Sequence, residues 1–529
     1  MKYTIGIDFG TLSARAVLVD SDGNIVCDST REYTHKVMSE LKGALPKNFA
    51  IQHPDDYVDA LTFCIKEVVK TSKVSPSDIV GLGIDFTSST VMSVDEEEVP
   101  TCKKGFETNP HAYVKLWKHH GAEAIAERME KIAKERGERW LARSSGKISC
   151  EFALPKIVET LEKAPEVYSK TSRFVEAGDW ITGLLVGKKL QTSVFAGYKW
   201  CYDKSDGYPS NEYFKAIDPR LDGIVGDKIL DTVTDEVVVG YLTDEWAKVL
   251  GLEVSTPVAR PMIDAHSALP ALGVIEEGSL MLIIGTSGCQ ILNSKKRVDI
   301  DGIFGYVYDS IIPNNYTYEA GQSAVGDIFD WVVKNCVNSQ LEEEAKNRGI
   351  NIHKLLRERA KKLKVGESGL IALDWLNGNR SILQNPKLKG MILGLTLNTK
   401  PWEIYRAFIE ATAFGVRVIL ESFYKSGIKV DKIVAGGGIA TKDDMLMQIY
   451  ADVLGLPISV SNTEQAGAVG SATFASVAGG LYPDIVTASK KMTKEPTVIY
   501  APCEQNVKAY DLIYNEYKKL HDYFGKREQ

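Results

Sequence analysis

The chain has 529 residues, 44% apolar and 25% charged, which is typical of a globular protein with roughly two to four domains. Lys and Arg number 63 against 70 for Asp and Glu, and this net charge of −7 excludes a generally basic, nucleic-acid-binding surface. The eight cysteines form no C-x-x-C pair, and neither a secretory signal nor a membrane span of roughly 18 apolar residues is visible. We therefore predict a cytoplasmic protein without nucleic-acid or membrane partners.

Short apolar runs alternate along the chain with longer stretches of helical periodicity, a pattern that predicts an α/β protein. The predicted strands include 3–7, 16–19, 79–84, 280–284 and 432–434. The predicted helices include 54–70, 119–136, 401–424 and 444–454. Near the N-terminus the strands are split by tight turns, which indicates antiparallel hairpins and hence a mixed sheet. Proline and glycine in the 268–278 segment suggest a domain join there.

The first candidate motif is a strand that delivers Asp8 and then turns at Gly10-Thr11. Glycine lets the backbone approach a ligand, and Thr11 and Ser13 add hydroxyls that suit polyphosphate oxygens. Because a carboxylate repels phosphate, a Mg²⁺ bridge held by Asp8 reconciles the two. An ordinary β-hairpin with a glycine turn is the alternative, and this motif alone does not decide between them.

Two later turns share the same character. Gly285-Thr286 repeats the strand and turn about half a chain further on but lacks the acid. The strand at 433–435 runs into three glycines, 436–438, and a helix with an acidic first turn follows. Three fixed glycines carry a large entropic cost, so a flat ligand such as adenine or ribose is a reasonable explanation. Chance turns remain the alternative interpretation.

Together these motifs, in this order and spacing, resemble the FGGY carbohydrate kinases, a sugar-kinase branch of the actin-like ATPase superfamily. The similarity extends over most of the chain and is strongest to the members that act on L-ribulose. The resembling segments are 8–16, 83–90, 109–120, 146–149, 176–180, 263–266, 319–327 and 447–453.

The resemblance implies two actin-like (ribonuclease H-like) α/β domains, each a mixed sheet flanked by helices, with a catalytic cleft between them. We place an N-terminal sugar-binding domain at residues 1–272 and a C-terminal nucleotide-binding domain at 273–529. The implied activity is the ATP- and Mg²⁺-dependent phosphorylation of L-ribulose to L-ribulose 5-phosphate, a step of arabinose catabolism. The implied partners are a ketopentose and ATP, and the oligomeric state, a homodimer included, is left open.

The resemblance also assigns candidate site residues. Asp264 is the implied general base, which takes the proton of the attacking sugar hydroxyl. The implied sugar-binding residues are Asp264 itself, Phe86, Thr87, Ser88, Lys199 and Glu319. Without the resemblance, an aspartate before a helix is more often an N-cap, and Lys199 and Glu319 would be interpreted as surface residues.

The nucleotide side carries over in the same way. The implied ATP-binding residues are Gly10, Thr11, Ser13, Gly285, Thr286, Gly326, Gly437, Gly438 and Lys442, and the implied metal ligand is Asp8. One position departs from the family pattern: many relatives have Lys-Asn after the glycines, whereas this chain has Lys442-Asp443. An ionised Asp only accepts hydrogen bonds, so the adenine contact and the nucleotide preference are open.

Three alternatives stay open from sequence. A kinase for another ketopentose or polyol, such as D-ribulose or xylulose, differs only in a few pocket groups. An actin-like structural or chaperone ATPase shares the phosphate motifs but needs no sugar pocket. A catalytically silent sugar-binding regulator is the third alternative, and the intact Asp264 disfavours it.

Overall fold

The computed structural model describes residues 1–496 and 498–527. In this part of the chain none of the helices combines the length and apolar composition that a membrane crossing requires. The strands are β1 Tyr3–Phe9, β2 Ser13–Asp20, β3 Ile25–Glu32, β4 Ile51–Gln52, β5 Ile79–Phe86, β6 Val91–Val94, β7 Val114–Lys115, β8 Arg173–Glu176, β9 Val238–Tyr241, β10 Pro257–Ala259, β11 Met262–Ile263, β12 Ser279–Ile284, β13 Gly288–Ser294, β14 Tyr306–Tyr308, β15 Tyr316–Gln322, β16 Ile371–Leu373, β17 Met391–Leu393, β18 Lys432–Gly436, β19 Ile458–Val460 and β20 Val498–Tyr500.

The helices surround these strands and account for most of the remaining regular structure. They are α1 Pro54–Ser72, α2 Glu123–Arg136, α3 Ala153–Lys163, α4 Pro165–Lys170, α5 Ala177–Val186, α6 Ser193–Lys199, α7 Asn211–Ile217, α8 Ile224–Asp227, α9 Asp244–Leu250, α10 Asp264–Ala271, α11 Gly326–Cys336, α12 Ser339–Asn347, α13 Ile352–Ala360, α14 Pro401–Lys425, α15 Asp444–Leu454, α16 Ala466–Ala478, α17 Ile485–Met492 and α18 Glu504–Arg527. The helices predicted from periodicity correspond to α1, α2, α14 and α15; α2 begins four residues later than predicted.

The chain folds into two compact units, each assembled from separate stretches. The first unit contains Met1–Ile275, Tyr306–Thr317 and Thr463–Lys494. The second contains Glu276–Gly305, Tyr318–Asn462 and the described residues from Glu495 onward. The predicted boundary between residues 272 and 273 lies close to Ile275, after which the chain first passes from the first unit to the second. As a division into two domains, this boundary stays a prediction.

The first unit is built on a mixed sheet in the order β3-β2-β1-β5-β10-β9, with β11 paired to β5. β1–β2 and β2–β3 are antiparallel, which confirms the predicted hairpins, whereas β1, β10 and β11 run parallel to β5. A second, four-stranded sheet in the order β4-β7-β6-β8 belongs to the same unit. The parallel pairing brings the carboxyl ends of β1, β5 and β11 to one edge of the main sheet.

Helix α16 lies directly on β1 and β5 because the facing residues are glycines. A Cβ at Gly6 would stand 1.9 Å from the Ala468 carbonyl oxygen, and one at Gly83 would stand 2.0 Å from that of Ser471. Glycine inside a strand often marks such a close approach of another backbone. The segment 463–494 thereby joins the N-terminal part of the chain, which sequence periodicity did not predict.

The second unit repeats the central pattern of the first. Its sheet contains the strand order β15-β13-β12-β18-β19-β20. The hairpin β12–β13 is antiparallel, and β12 and β19 both run parallel to β18. Both units therefore combine a mixed sheet with flanking helices, as the sequence predicts, and each contains one of the two Gly-Thr turns. The predicted cleft between domains stays a prediction.

Candidate functional site

Three carboxylates gather at the carboxyl edge of the first unit's main sheet. Asp8 and Asp85 are register partners near the ends of the parallel strands β1 and β5. Ile263 of β11 pairs with Phe86, so Asp264 follows directly beside the end of β5 and begins α10. Ligands of open α/β sheets bind at this edge, beyond the carboxyl ends of the strands. The topology therefore concentrates acid chemistry in one place.

The Asp8 and Asp85 carboxyl groups interact, and burial raises the pKa of both. Burial raises the pKa of Asp85 well above its ordinary value, and the neighbouring Asp8 charge raises it further. Burial also raises the pKa of Asp8, while its interaction with Asp85 and the charge of Arg15 oppose that rise. Burial therefore favours the neutral form of both carboxyl groups, and more strongly at Asp85 than at Asp8. The Ser471 hydroxyl donates to Oδ2 of Asp85 at 2.6 Å.

The Gly10-Thr11 turn joins β1 to β2 as predicted. The Gly10 amide donates to the Ser13 carbonyl at 3.0 Å and closes the turn. Thr11 is held from outside, because the Gln52 side-chain amide donates to its carbonyl at 2.7 Å. The indole N–H of Trp117, which lies in a turn, donates to the Thr11 hydroxyl at 3.3 Å. This geometry is a tight turn with ordered polar groups beside Asp8.

The loop after β5 carries the predicted sugar-binding stretch 86–88. The Phe86 side chain is 1% exposed and stacks on Phe9 with ring centroids 4.7 Å apart. Phe86 therefore packs in the core and can offer a ligand only its backbone. The Thr87 hydroxyl is hydrogen-bonded to that of Thr90 at 2.8 Å, while Ser88 is half-buried.

Lys199 and Glu319 are not the surface residues that an isolated interpretation of the sequence suggests. Lys199 ends α6 in the first unit and is 6% exposed. Glu319 lies in β15 within the second unit, is also 6% exposed, and pairs with Arg380 at 3.4 Å. A charged side chain is buried only when specific partners compensate for the loss of water. The burial of Lys199 and Glu319 therefore favours a specific binding or structural role over that of a solvated surface residue.

In the second unit, the Gly285-Thr286 turn meets the start of α11. The Gly326 amide donates to the Gly285 carbonyl at 3.0 Å, and the Val325 amide donates to the Thr286 carbonyl at 2.8 Å. A Cβ at Gly326 would stand 2.8 Å from the Gly285 oxygen, so the contact requires glycine. Gly326 begins the helix as predicted, and three of the predicted ATP-binding residues lie together.

The glycine triplet continues the same edge at the end of β18. Gly437 has φ +96°, and a Cβ there would stand 2.6 Å from the Ile284 carbonyl oxygen at the end of β12. Gly438 has open space around it, because nothing lies within 4 Å of the position that an added Cβ would take. Both glycines are exposed, as is Lys442. The structure therefore places Gly437 beside the end of the strand that precedes the Gly285 turn.

Asp443, which departs from the family pattern, is bonded through its side chain to other residues of the protein. Its Oδ1 accepts the Leu446 amide at 3.0 Å and caps α15, and its Oδ2 pairs with Arg357 at 3.1 Å. The side chain is 2% exposed. Both carboxylate oxygens are thus engaged by the protein, which indicates a helix cap at this position.

Replacing Asp443 with alanine is expected to lower the free energy of unfolding by about 1–2 kcal/mol, because the cap and the Arg357 partner are lost together. Asp444→Ala is a matched control at the next position. Asp444 pairs with Lys361 on the surface, so its loss is expected to cost less than about 1 kcal/mol. Thermal melts of the two variants decide the matter, and equal melting temperatures would contradict a capping role for Asp443.

Reasoning from sequence missed one member of the acid cluster, which consists of Asp8, Asp85 and Asp264, and one residue that is hydrogen-bonded to it. Asp85 lies within a segment that resembles the family, yet nothing local distinguishes it from a strand residue. Ser471 is distant in sequence and reaches Asp85 only because α16 packs on β5. The glycines Gly81 and Gly83 inside an apolar strand were the available signal, since they indicate a close backbone neighbour.

Comparisons with known proteins agree along almost the whole chain. The model of the FGGY family of carbohydrate kinases, N-terminal domain, matches residues 3–271, and that of the C-terminal domain matches residues 280–479. The ribulokinase of Halalkalibacterium halodurans is 46% identical over 99% of this chain and 95% of its own length. The ribulokinase of Geobacillus thermodenitrificans is 45% identical over 100% and 95%, and that of Staphylococcus aureus is 42% identical over 99% and 97%.

Solved structures share the fold at lower identity. A ligand-bound xylulose kinase from Lactobacillus acidophilus superimposes with a TM-score of 0.82 at 18% identity, covering 100% of this chain and 99% of the other. Plasmodium falciparum glycerol kinase with ADP gives a TM-score of 0.79 at 17% identity, covering 98% of each chain. These likenesses confirm the predicted actin-like α/β fold with two sheet-containing units.

Proposed function

Because this chain belongs to the FGGY family of carbohydrate kinases, we propose that it transfers the γ-phosphoryl group of ATP to the terminal hydroxyl of L-ribulose. The products are L-ribulose 5-phosphate and ADP. The observation that carries this proposal is the high identity to ribulokinases over nearly the full length of both chains. The similarity to xylulose and glycerol kinases is a likeness of fold, so it does not favour their substrates.

In this proposal Asp264 is the general base. A sugar hydroxyl must lose a proton as it attacks the γ-phosphorus, and a carboxylate within hydrogen-bond reach accepts it. The position of Asp264 at the start of α10, beside the end of β5, supports this role. Its Oδ1 accepts the Ala265 amide at 2.7 Å, which restrains the orientation of the carboxylate.

The sugar contacts are proposed for Lys199, Glu319 and the loop 86–88. A ketopentose presents several hydroxyls and a carbonyl, and such ligands are oriented by a few fixed polar groups. Lys199 supplies donors and Glu319 supplies acceptors. Since the Phe86 ring is buried against Phe9, the loop contributes through its backbone and through Thr87 and Ser88.

The nucleotide contacts are proposed for the glycine-rich turns, whose amides and open space suit phosphates and adenine. The residues are Gly10, Thr11, Ser13, Gly285, Thr286, Gly326, Gly437, Gly438 and Lys442. Asp443 is left out of the adenine contact because its two oxygens cap α15 and pair with Arg357.

Asp8 is the proposed Mg²⁺ ligand. Mg²⁺ is usually held by one or two carboxylates together with waters and substrate phosphates. Asp8 fits this pattern, because its pKa is raised less strongly than that of Asp85 and the charge of Arg15 favours its ionised form. No cluster of three or more metal-binding side chains exists among residues 1–496 and 498–527. Bound Mg²⁺ would offset charge on the transferring phosphoryl group.

A coupled ADP-release assay over a sugar panel tests the proposal. We expect kcat/KM for L-ribulose to exceed that for D-ribulose, D-xylulose, L-xylulose and glycerol by about 10-fold or more, as expected when pocket hydrogen bonds select one stereoisomer. If a different sugar ranks first, the proposed substrate is wrong but the proposed kinase activity still holds. ATP hydrolysis that no sugar stimulates would instead favour an actin-like ATPase.

A further inference from the structure

Two buried charged side chains lie behind the loop that follows β5, and no proposed role uses them. Lys156 belongs to α3, and Glu176 ends β8. Their exposed fractions are 1% and 0%, respectively. Charged residues are almost never buried this fully unless they have specific partners. The partners of these two include backbone groups of the loop itself.

Lys156 binds the loop from its carbonyl side. Its ammonium group donates to the Ser89 carbonyl at 2.6 Å and to the Leu116 carbonyl at 2.7 Å. Ser89 has φ 56°, a left-handed conformation that serine rarely adopts and that its surroundings must maintain. Leu116 directly precedes Trp117, which contacts the Gly10-Thr11 turn. One ammonium group therefore ties two segments that border the acid cluster.

Glu176 binds the same loop from its amide side. Its Oε2 accepts the Thr90 amide at 2.9 Å, and its Oε1 accepts the Trp200 indole N–H at 2.8 Å. Trp200 directly follows Lys199, the proposed sugar-binding lysine. The Ala177 amide, next in the chain, donates to the Thr90 carbonyl at 2.8 Å. One carboxylate therefore couples the loop after β5 to the end of α6.

The opposite charges of Lys156 and Glu176 each favour the ionised form of the other. Burial lowers the pKa of Lys156 to about 7, and the charge of Glu176 is the largest opposing influence. Burial raises the pKa of Glu176 to about 7, against which the Trp200 hydrogen bond and the charge of Lys156 act. Burying two charged groups costs free energy even when hydrogen bonds and an opposite charge nearby compensate in part. Their burial here therefore calls for a reason other than stability.

We propose that Lys156 and Glu176 are positioning residues that hold the 86–90 loop and the end of α6 in the geometry that binds the sugar. The inference rests on the proposed function, because the loop and Lys199 are sugar-binding residues only in that proposal. Lys156 fixes the Ser89 carbonyl, and Glu176 fixes the Thr90 amide and Trp200. Misplacing a binding group by about 1 Å can cost up to about 100-fold in rate.

The test uses the near-isosteric variants Lys156→Met and Glu176→Gln in the full-length chain. The matched controls are Lys115→Met and Asp179→Asn, because both residues are also buried and charged. Lys115 donates to Glu159, Thr160 and the Lys156 carbonyl, and Asp179 accepts from Thr192. Within the part of the chain that the structure describes, neither control side chain is hydrogen-bonded to the 86–90 loop.

Both test variants are expected to raise KM for L-ribulose by about 10-fold or more, with KM for ATP within about twofold of wild type. Hydrogen–deuterium exchange should be about 10-fold faster in the peptide that covers residues 86–92. The control variants are expected to lower the melting temperature without changing KM for L-ribulose or the exchange rate of the peptide 86–92. The double variant Lys156→Met/Glu176→Gln removes both charges at once and provides folded protein if a single unpaired charge prevents folding.

Wild-type sugar KM and wild-type loop exchange in the folded test variants would overturn the inference while leaving the proposed function intact. Equal KM shifts in the test and control variants would also overturn it, since they would indicate a general loss of packing. The same applies if neither single variant nor the double variant folds, because the pair would then serve the fold. A wild-type chain that phosphorylates no ketopentose overturns the proposed function, and the exchange measurement then decides separately whether the pair holds the loop.

Discussion

Asp264→Asn is expected to lower kcat by about 1,000-fold while leaving L-ribulose binding within about threefold of wild type. General-base catalysis contributes about 10²–10⁴-fold, and an amide cannot accept the proton. The substitution preserves the shape of the side chain, and its amide oxygen can still accept the hydrogen bond that the Ala265 N–H donates to Asp264. Steady-state kinetics give kcat, and calorimetric titration with L-ribulose gives the dissociation constant.

The matched control is Asp244→Asn. Asp244 is likewise the first residue of a helix, α9, but it is exposed and lies outside the acid cluster. Its kcat is expected to stay within about twofold of wild type, as is usual for a surface substitution. Near-normal turnover in Asp264→Asn would show that another group accepts the proton. A loss of sugar binding equal to the loss of turnover would assign Asp264 to binding alone.

Gly83→Ala is expected to destabilise the first unit severely. The added Cβ would stand 2.0 Å from the Ser471 carbonyl oxygen, and both partners are backbone atoms of packed elements. Overpacking usually costs about 1–3 kcal/mol, and this contact allows no side chain to rotate away, so we expect about 3 kcal/mol or more. A lower melting temperature by several degrees, with a lower yield of soluble protein, is the expected measurement.

Gly438→Ala is the control for this prediction. Nothing lies within 4 Å of a Cβ at that position, so its melting temperature is expected to stay within about 1 °C of wild type. The activity of this control is not the readout, because Gly438 is a proposed nucleotide contact. A Gly83→Ala variant that melts like wild type would contradict the direct packing of α16 on β5.

The local features of both units were accessible from sequence because they depend on neighbouring residues. Hairpins β1–β2 and β12–β13 follow from apolar strands joined by Gly-Thr turns. Helices α1 and α14 follow from sustained helical periodicity. The start of α2 was placed too early, because the residues before Glu123 form turns whose hydrogen bonds periodicity does not report.

The candidate site was predicted in part for the same reason. Asp8, Asp264 and the glycine turns stand within short, recognisable segments. At Asp443 the helix cap is a local bond from the Leu446 amide, but the pairing with Arg357, 86 residues away in the chain, had no local signal. Phe86 was assigned to the site through the backbone of its motif, whereas the burial of its ring on Phe9 depends on the pairing of β1 with β5.

By itself the sequence determined the α/β class, the two Gly-Thr turns, the family resemblance and the acids that carry the proposed chemistry. Only the tertiary structure decided that α16 returns to the first unit, that Asp85 joins Asp8, and that Lys156 and Glu176 bind one loop from two sides. The physical reason is range. Turns and periodicity arise from interactions within a few residues, whereas strand pairing and the partners of buried charges depend on which distant segments pack together.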